Sequence, residues 1–446
     1  MGDPFVSTLV LILLALLGAR LSFSTLSVPP GPRLVFRTGT HFLFLGLVLG
    51  PHALGLLTEG AIRQLFPLLG LGLGWIGFLF GLQLDRRYLR QFPGVFFFLA
   101  MGQAILTFVL FLALGWAVLA GVGQDGQVQR LLLIGAAATA CVSTPAGIAL
   151  ISTNFLVKGK IRDLLFFVAS LDALVGIAAL QVAYSLFPPG ALVGEMVVEP
   201  DLLWILVALG MGVVCGILFL WLTRPRPGGE ELVLFLLGIA AFSSGAALQL
   251  QLSPLFVSVT MGVVVANLSP EPERVYRVLH QWEKPIYVVF LILAGALLRF
   301  PTFWVIPLAL GYAVIRALGK VLGNLIMVRV LPIPFPTPRR FGLGLLPQGG
   351  ISLAMAISGV ITYAGLSLAG LNAVDILFAV VVLGVIFSEL TGPFFTKNIL
   401  VRAGEISPRV QEALQARDHR RAQAAAISAQ AEGGAEDAQG GDTPHV

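Results

Sequence analysis

Runs of about twenty apolar residues recur from one end of the chain to the other, separated by short polar stretches. Read as membrane-crossing helices, they number about thirteen. They are Val6–Ser24, His41–Leu57 (which contains Gly50-Pro51), Leu65–Leu84, Phe92–Gly121, Leu131–Phe155, Ile161–Phe187 and Leu202–Leu222. Then come Glu231–Leu250, Pro254–Asn267, Pro285–Leu298, Phe303–Val328, Gly342–Tyr363 and Val374–Phe395. The first is expected to be a retained span rather than a cleaved signal, because Met1–Ser24 lacks a basic start and an A-x-A-like site.

Two of these spans are interrupted. The fifth is broken around Ser143-Thr144-Pro145 and the twelfth around Pro347-Gln348-Gly349-Gly350. An odd offset between them means that they cross in opposite directions. Paired interruptions in two halves point to an inverted repeat with an ion site at its interface. Unwound backbone there frees carbonyls and amides at the midplane, where the half-helix dipole ends face each other. The expected fold is an all-α polytopic membrane protein of this inverted-repeat kind.

Composition agrees with the pattern. The chain of 446 residues is 57% hydrophobic and 11% charged, against roughly 25% charged in a soluble domain. Its 51 glycines suit membrane helices, where glycine is frequent. The net charge of +5 is a topology signal rather than a nucleic-acid footprint, because the basic residues fall on alternate loops. One side holds Arg33 and Arg37; Arg86, Arg87 and Arg90; Lys158, Lys160 and Arg162; Arg224 and Arg226; Arg274, Arg277 and Lys284; and Arg329, Arg339 and Arg340. The other side holds Arg63, Arg130 and Arg299. The positive-inside rule then places the N-terminus outside and the C-terminus in the cytoplasm. A cell (inner) membrane location is expected. Residues 403–446 read as a cytoplasmic tail, with a polar helix over Ser407–Ala425 and disorder beyond.

The charges left inside the spans carry the chemistry. Asp172 lies about ten residues, or about 15 Å, from the cytoplasmic end of its span, where a charge costs at least ~2.5 kcal/mol. Lys320 lies at a similar depth, Arg316 is one turn earlier on the same face, and Glu389 sits in the last span. A monovalent cation needs hard oxygen ligands; Asp172 supplies a carboxylate, and Ser143 and Thr144 are the nearest candidate hydroxyls. Burial and a neighbouring cation push a carboxylate's affinity for protons in opposite directions, so proton and metal ion compete for one site. Lys320, Arg316 and Glu389 are assigned to charge compensation, with Lys320 holding Asp172 when no ion is bound. Gly72-Leu73-Gly74-Trp75-Ile76-Gly77 matches G-x-G-x-x-G, but no strand precedes it, and close helix packing explains it better. Cys141 and Cys215 lie in apolar runs without metal-ligand spacing. No cofactor is expected, and the chain reads as a transporter rather than an enzyme.

Several stretches together resemble the monovalent cation/proton antiporters, in particular the bacterial sodium/proton and potassium/proton exchangers of the second cation/proton antiporter group. They are FLGLVLGPHALGLL, WIGFLFGLQLDRRYLR, VSTPAGIALI, SLDALVGIAAL, VVFLILAGALLRF, RALGKVLGNLI, GLGLLPQGGISLAMAI and SELTGPFF. The resemblance implies a homodimer and two crossed discontinuous helices. It also implies a mobile core (about 92–187 and 303–397) moving like an elevator against a dimerisation part (about 6–84 and 202–298) within a transmembrane domain 1–402. It makes Asp172 the ion-binding acid and Lys320 the basic residue of the eleventh span, with Arg316 the competing match. Many relatives carry two adjacent acids, or Asn-Asp, where this chain has Leu171-Asp172-Ala173. One acid implies electroneutral exchange, whereas a Lys320 that loses a proton implies electrogenic exchange.

The expected function is exchange of a monovalent cation, Na⁺ first and K⁺ (or Li⁺) as neighbours, for protons by alternating access. The competing readings are a sodium-coupled organic anion transporter on a similar fold, and a channel or sensor without coupled exchange. Membrane lipid is an expected partner and nucleic acid is not.

Overall fold

The computed structural model describes residues 39–121, 123, 126–155, 157–188, 202–368 and 371–406. The expected first span Val6–Ser24, the loop holding Arg33 and Arg37, and the expected helix Ser407–Ala425 with the rest of the tail lie outside the described residues.

The described chain is helical. It begins with α1 (Thr40–Leu49), α2 (Glu59–Gln64), α3 (Phe66–Leu82), α4 (Arg86–Leu89) and α5 (Gly94–Gly121). The broken fifth span is α6 (Gln127–Ala140) and α7 (Ala146–Asn154), and the Asp172 span is α8 (Lys160–Leu171) and α9 (Ala173–Leu186). Next come α10 (Leu203–Leu222), α11 (Gly229–Gln249), α12 (Pro254–Leu268), α13 (Pro272–Leu297) and α14 (Val305–Val330). A 3₁₀ turn (Phe341–Leu345) then leads to α15 (Gly349–Thr362) and the last helix, α16 (Ala373–Arg402). The strands among the described residues are one antiparallel pair, β1 (Ser367–Leu368) and β2 (Leu371–Asn372). Among the described residues, six helical stretches are long and apolar enough to cross a membrane: Gly94–Gly121, Lys160–Leu186, Leu203–Leu222, Gly229–Gln249, Val305–Val330 and Ala373–Arg402. The chain is a multi-pass membrane protein.

Four elements depart from the lengths read from hydropathy. The second span stops as a helix at Leu49, and Gly50-Pro51 open a turn. The tenth starts at Pro272, well before Pro285, because Pro272 at the first turn starts a helix whose polar segment hydropathy cannot register. The last runs through Pro393 to Arg402. The first half of the twelfth is only the short 3₁₀ turn.

The helices pack as two groups. In one, α3 lies against α11, α12 and α13, α13 against α1, and α10 against α11 and α12. In the other, α5 lies against α6, α8 and α14, and α16 against α6, α7, α14 and α15. The groups meet where α15 touches α3 and α12, and where α9 touches α10 and α12. Small residues permit the tight approaches. A Cβ on Gly72 would lie 2.7 Å from Phe290, on Gly74 2.0 Å from the Ser244 hydroxyl, and on Gly77 2.7 Å from the Leu255 carbonyl. The G-x-G-x-x-G glycines are thus the points where α3 meets α13, α11 and α12, as expected of close membrane-helix packing.

The helix that leads to Asp172 has no local side-chain cap at Gly159. Its first amides are satisfied from far along the chain: Ile161 N–H donates to Glu405 Oε1 (2.7 Å) and Arg162 N–H to Glu405 Oε2 (2.9 Å). A carboxylate at a helix N-terminus satisfies orphan donors and complements the dipole together.

Candidate functional site

The two interruptions touch directly. The Thr144 N–H donates to the Pro347 carbonyl (2.9 Å), and the Ser143 hydroxyl to the Leu345 carbonyl (2.7 Å). Both segments lack helical partners because proline removes a donor and blocks the regular ladder. Gly349 is needed at the crossing for two reasons. Its φ is +64°, and a Cβ there would meet the Thr144 side chain at 2.8 Å.

Each unwound segment exposes a carbonyl end and an amide end, and buried charges of the opposite sign meet them. Arg316 bridges the two carbonyl ends. It donates from Nη1 to Leu346 (2.7 Å) and from Nη2 to Val142 (2.8 Å) and Leu345 (3.4 Å). Lys320 Nζ donates to the Cys141 carbonyl. At the amide ends, Ser143 N–H donates to Asp172 Oδ1 (2.9 Å), and Gly349 N–H to Glu389 Oε1 (2.9 Å).

Asp172 stands between α8 and α9, fully buried. Its Oδ2 accepts from Lys320 Nζ at 2.7 Å and from Gln103 Nε2 at 3.3 Å. Lys320 and Arg316, one turn apart on α14, are both fully buried. Beside them, Gln348 Nε2 donates to the Thr139 carbonyl (2.9 Å) and to the Tyr312 hydroxyl, which donates to Thr139 Oγ1 (3.2 Å). The amide oxygens of Gln103, Gln348 and Asn324 are buried acceptors without a hydrogen-bond partner.

The geometry gathers Asp172, Lys320, Arg316, Ser143, Thr144, Pro347, Gln348 and Gly349 at one crossing, but with altered parts. Ser143 reaches Asp172 through its backbone amide, its hydroxyl being turned to Leu345. Thr144 Oγ1 accepts from the Ala146 N–H (3.4 Å). Arg316 faces carbonyls rather than a carboxylate, and Glu389 caps Gly349 instead of meeting a cationic side chain. Pro145 stands at the start of α7, and Gly350 leaves room for Tyr287, whose hydroxyl a Cβ would meet at 2.5 Å. Sequence reasoning missed Gln103, Thr139 and Tyr312. Gln103, a carboxamide inside an apolar run, was the readable signal.

This arrangement holds one carboxylate away from water, paired with an ammonium and close to free amide oxygens. It suits a small cation. Among the described residues, no group of three or more His, Cys, Asp or Glu side chains offers a site for a multivalent metal.

The profile of the family described as "Sodium/hydrogen exchanger, transmembrane" matches residues 10–402. The fold is similar to that of the sodium proton antiporter MjNhaP1 from Methanocaldococcus jannaschii in its structure at pH 8. The TM-score is 0.56 and the identity 18%, over 91% of this chain and 95% of that one. An electron-microscopy structure of the same antiporter matches with a TM-score of 0.56 and 18% identity, over 90% of this chain and 97% of that one. A search of curated proteins returned no match.

Proposed function

Since the chain belongs to the transmembrane sodium/hydrogen exchanger family, and is thereby a cation/proton exchanger, we propose that Asp172 is the group that takes cation and proton in turn. The observation that carries this is the fully buried Asp172–Lys320 pair at the crossing of two unwound segments. A carboxylate at that depth attracts either a cation or a proton, and each excludes the other. When a cation arrives, the Lys320 ammonium is displaced from Oδ2, because two positive charges on one carboxylate in a low-dielectric site repel strongly. The Gln103 amide oxygen, without a partner, becomes a further oxygen ligand if the side chain turns, since its NH₂ group now faces Asp172 Oδ2. Na⁺ is the proposed ion, supported by the family and by the likeness to a sodium proton antiporter; K⁺ is the alternative.

Alternating access is proposed to come from the α5–α9 and α14–α16 group moving against the group that contains α1, α3 and α10–α13. This follows the division into about 92–187 and 303–397 on one side and about 6–84 and 202–298 on the other. The packing supports it, since the groups meet mainly through α15 and α9. The scaffold group is the proposed homodimer surface, supported by the outward-facing Leu206, Val214 and Trp221 of α10. The loop charges support a C-terminus in the cytoplasm and an inner-membrane location.

The test is exchange in proteoliposomes with a pH-sensitive dye. Na⁺, Li⁺ and K⁺ are added in turn between about pH 6 and 9, with and without an imposed membrane potential. Na⁺-dependent proton movement that Asp172→Asn abolishes in folded, reconstituted protein is the expected result. Exchange that survives in Asp172→Asn would sink the assignment.

A further inference from the structure

Glu389 lies beside the start of α15, at the amide end of the second unwound segment, and is 5% exposed. One carboxylate oxygen, Oε1, accepts the Gly349 N–H. The other, Oε2, is buried and has no hydrogen-bond partner. Glu389 and Gly349 help line a cavity of about 20 Å³, enough for one water molecule. The cavity lies where the two helix groups meet, since Leu353 of α15 and Val382 of α16 face Leu43 of α1 and Tyr287 of α13 across it.

Besides the Gly349 amide, the Gln348 amide also faces the carboxylate, and the remaining surroundings are largely apolar. An ionised carboxylate needs its lone pairs satisfied when it is buried, and most of the cavity wall is aliphatic. The charged and titratable side chains that act on it are Arg316 from α14 and Tyr287 from α13. Arg316 already directs its hydrogen bonds to the carbonyls of Val142, Leu345 and Leu346. Tyr287 brings a phenol rather than a positive charge. A cation would find one oxygen and a greasy wall, whereas a proton needs only the one oxygen and a water to deliver it.

We infer that Glu389 is a second protonation site of the exchanger, loading and releasing a proton at Oε2 through the cavity at the seam between the two helix groups. The inference rests on the reading of Asp172 as the exchange site and adds a proton-carrying group distinct from it. The balance is simple: a proton passes from water to Oε2 and back, and no covalent bond other than O–H forms or breaks. The Gly349 hydrogen bond to Oε1 is kept in both states, so the start of α15 stays capped while the charge changes.

Glu389→Gln separates the two roles, since its amide oxygen still accepts the Gly349 N–H while the side chain no longer titrates. The measurement is difference infrared spectroscopy of the purified protein across about pH 5 to 9. It is read on the protonated-carboxyl C=O stretch in Asp172→Asn and in the double variant Asp172→Asn/Glu389→Gln. A pH-dependent band present in Asp172→Asn and missing from the double variant is the expected result. With it, Glu389→Gln in liposomes should lose one limb of the pH–rate profile while keeping the melting temperature of the unsubstituted protein. Identical spectra, or a Glu389→Gln pH profile superimposable on that of the unsubstituted protein, would overturn the inference. Because the infrared comparison is made without Asp172, failure of the Asp172 reading in transport leaves the Glu389 result separately readable.

Discussion

Lys320 Nζ sits 2.7 Å from Asp172 Oδ2, and neither side chain has any exposed surface. In the exchange proposed above, this pair holds the crossing together while no cation is bound and parts when one arrives. Removing one partner of a buried pair strands the other, at a cost of about 3–5 kcal/mol. Asp172→Asn and Lys320→Met should therefore each lower the melting temperature in detergent. The double variant should recover most of the loss without recovering exchange. A double variant as unstable as the single ones would remove the pair from the account of stability.

Arg316 should behave as a structural tie. Its guanidinium reaches carbonyls from both unwound segments, which a single ammonium cannot do from one position. Arg316→Met leaves buried carbonyls unmet, at about 1–3 kcal/mol each. Arg316→Lys should retain part of the stability because the charge remains. The readout is thermal unfolding together with amide hydrogen exchange at Thr144, whose N–H is bonded across the crossing. Unchanged protection in Arg316→Met would show that the crossing holds without it.

Competition at a single carboxylate has a definite slope. With one proton and one Na⁺ competing for one site as proposed, the apparent KM for Na⁺ should rise about tenfold for each unit that pH falls on the acid side. Lys320→Ala should change the pH dependence or the charge moved per turnover. A KM that does not vary with pH would argue for separate sites.

Leu43 of α1 and Leu353 of α15 face one cavity from opposite helix groups. With cysteines at both positions, a cleavable bifunctional thiol reagent should stop exchange, and reduction should restore it. The native thiols Cys141 and Cys215 are buried. Full exchange in the cross-linked protein would exclude relative movement of the groups as the transport step.

The breaks at Pro145 and at Pro347-Gln348-Gly349 were legible because proline and glycine stand out in apolar runs, and Asp172 and Lys320 because charge does. The similar levels of Asp172 and Lys320 along their spans were legible from a residue count, and the two side chains meet. What hydropathy does not carry is direction around the helix axis. Arg316 and Lys320 share a face, yet Arg316 meets backbone carbonyls while Lys320 meets a carboxylate besides the Cys141 carbonyl. Carbonyls and amides leave no mark in a sequence, so the partners of Arg316, the Ser143 amide and the Gly349 cap could not be read from it. The polar first half of α13 escaped for a simpler reason: a helix continues past the apolar residues that hydropathy registers.

Glu405, just past α16, holds the first amides of α8 with both of its oxygens. That contact sets a boundary for shortening the chain. A truncation after Ile406 keeps the clamp, so the Asp172 helix begins from a fixed anchor even with the rest of the tail gone. A truncation after Arg402 unfastens that helix at its N-terminal end, although every membrane-crossing residue is still present.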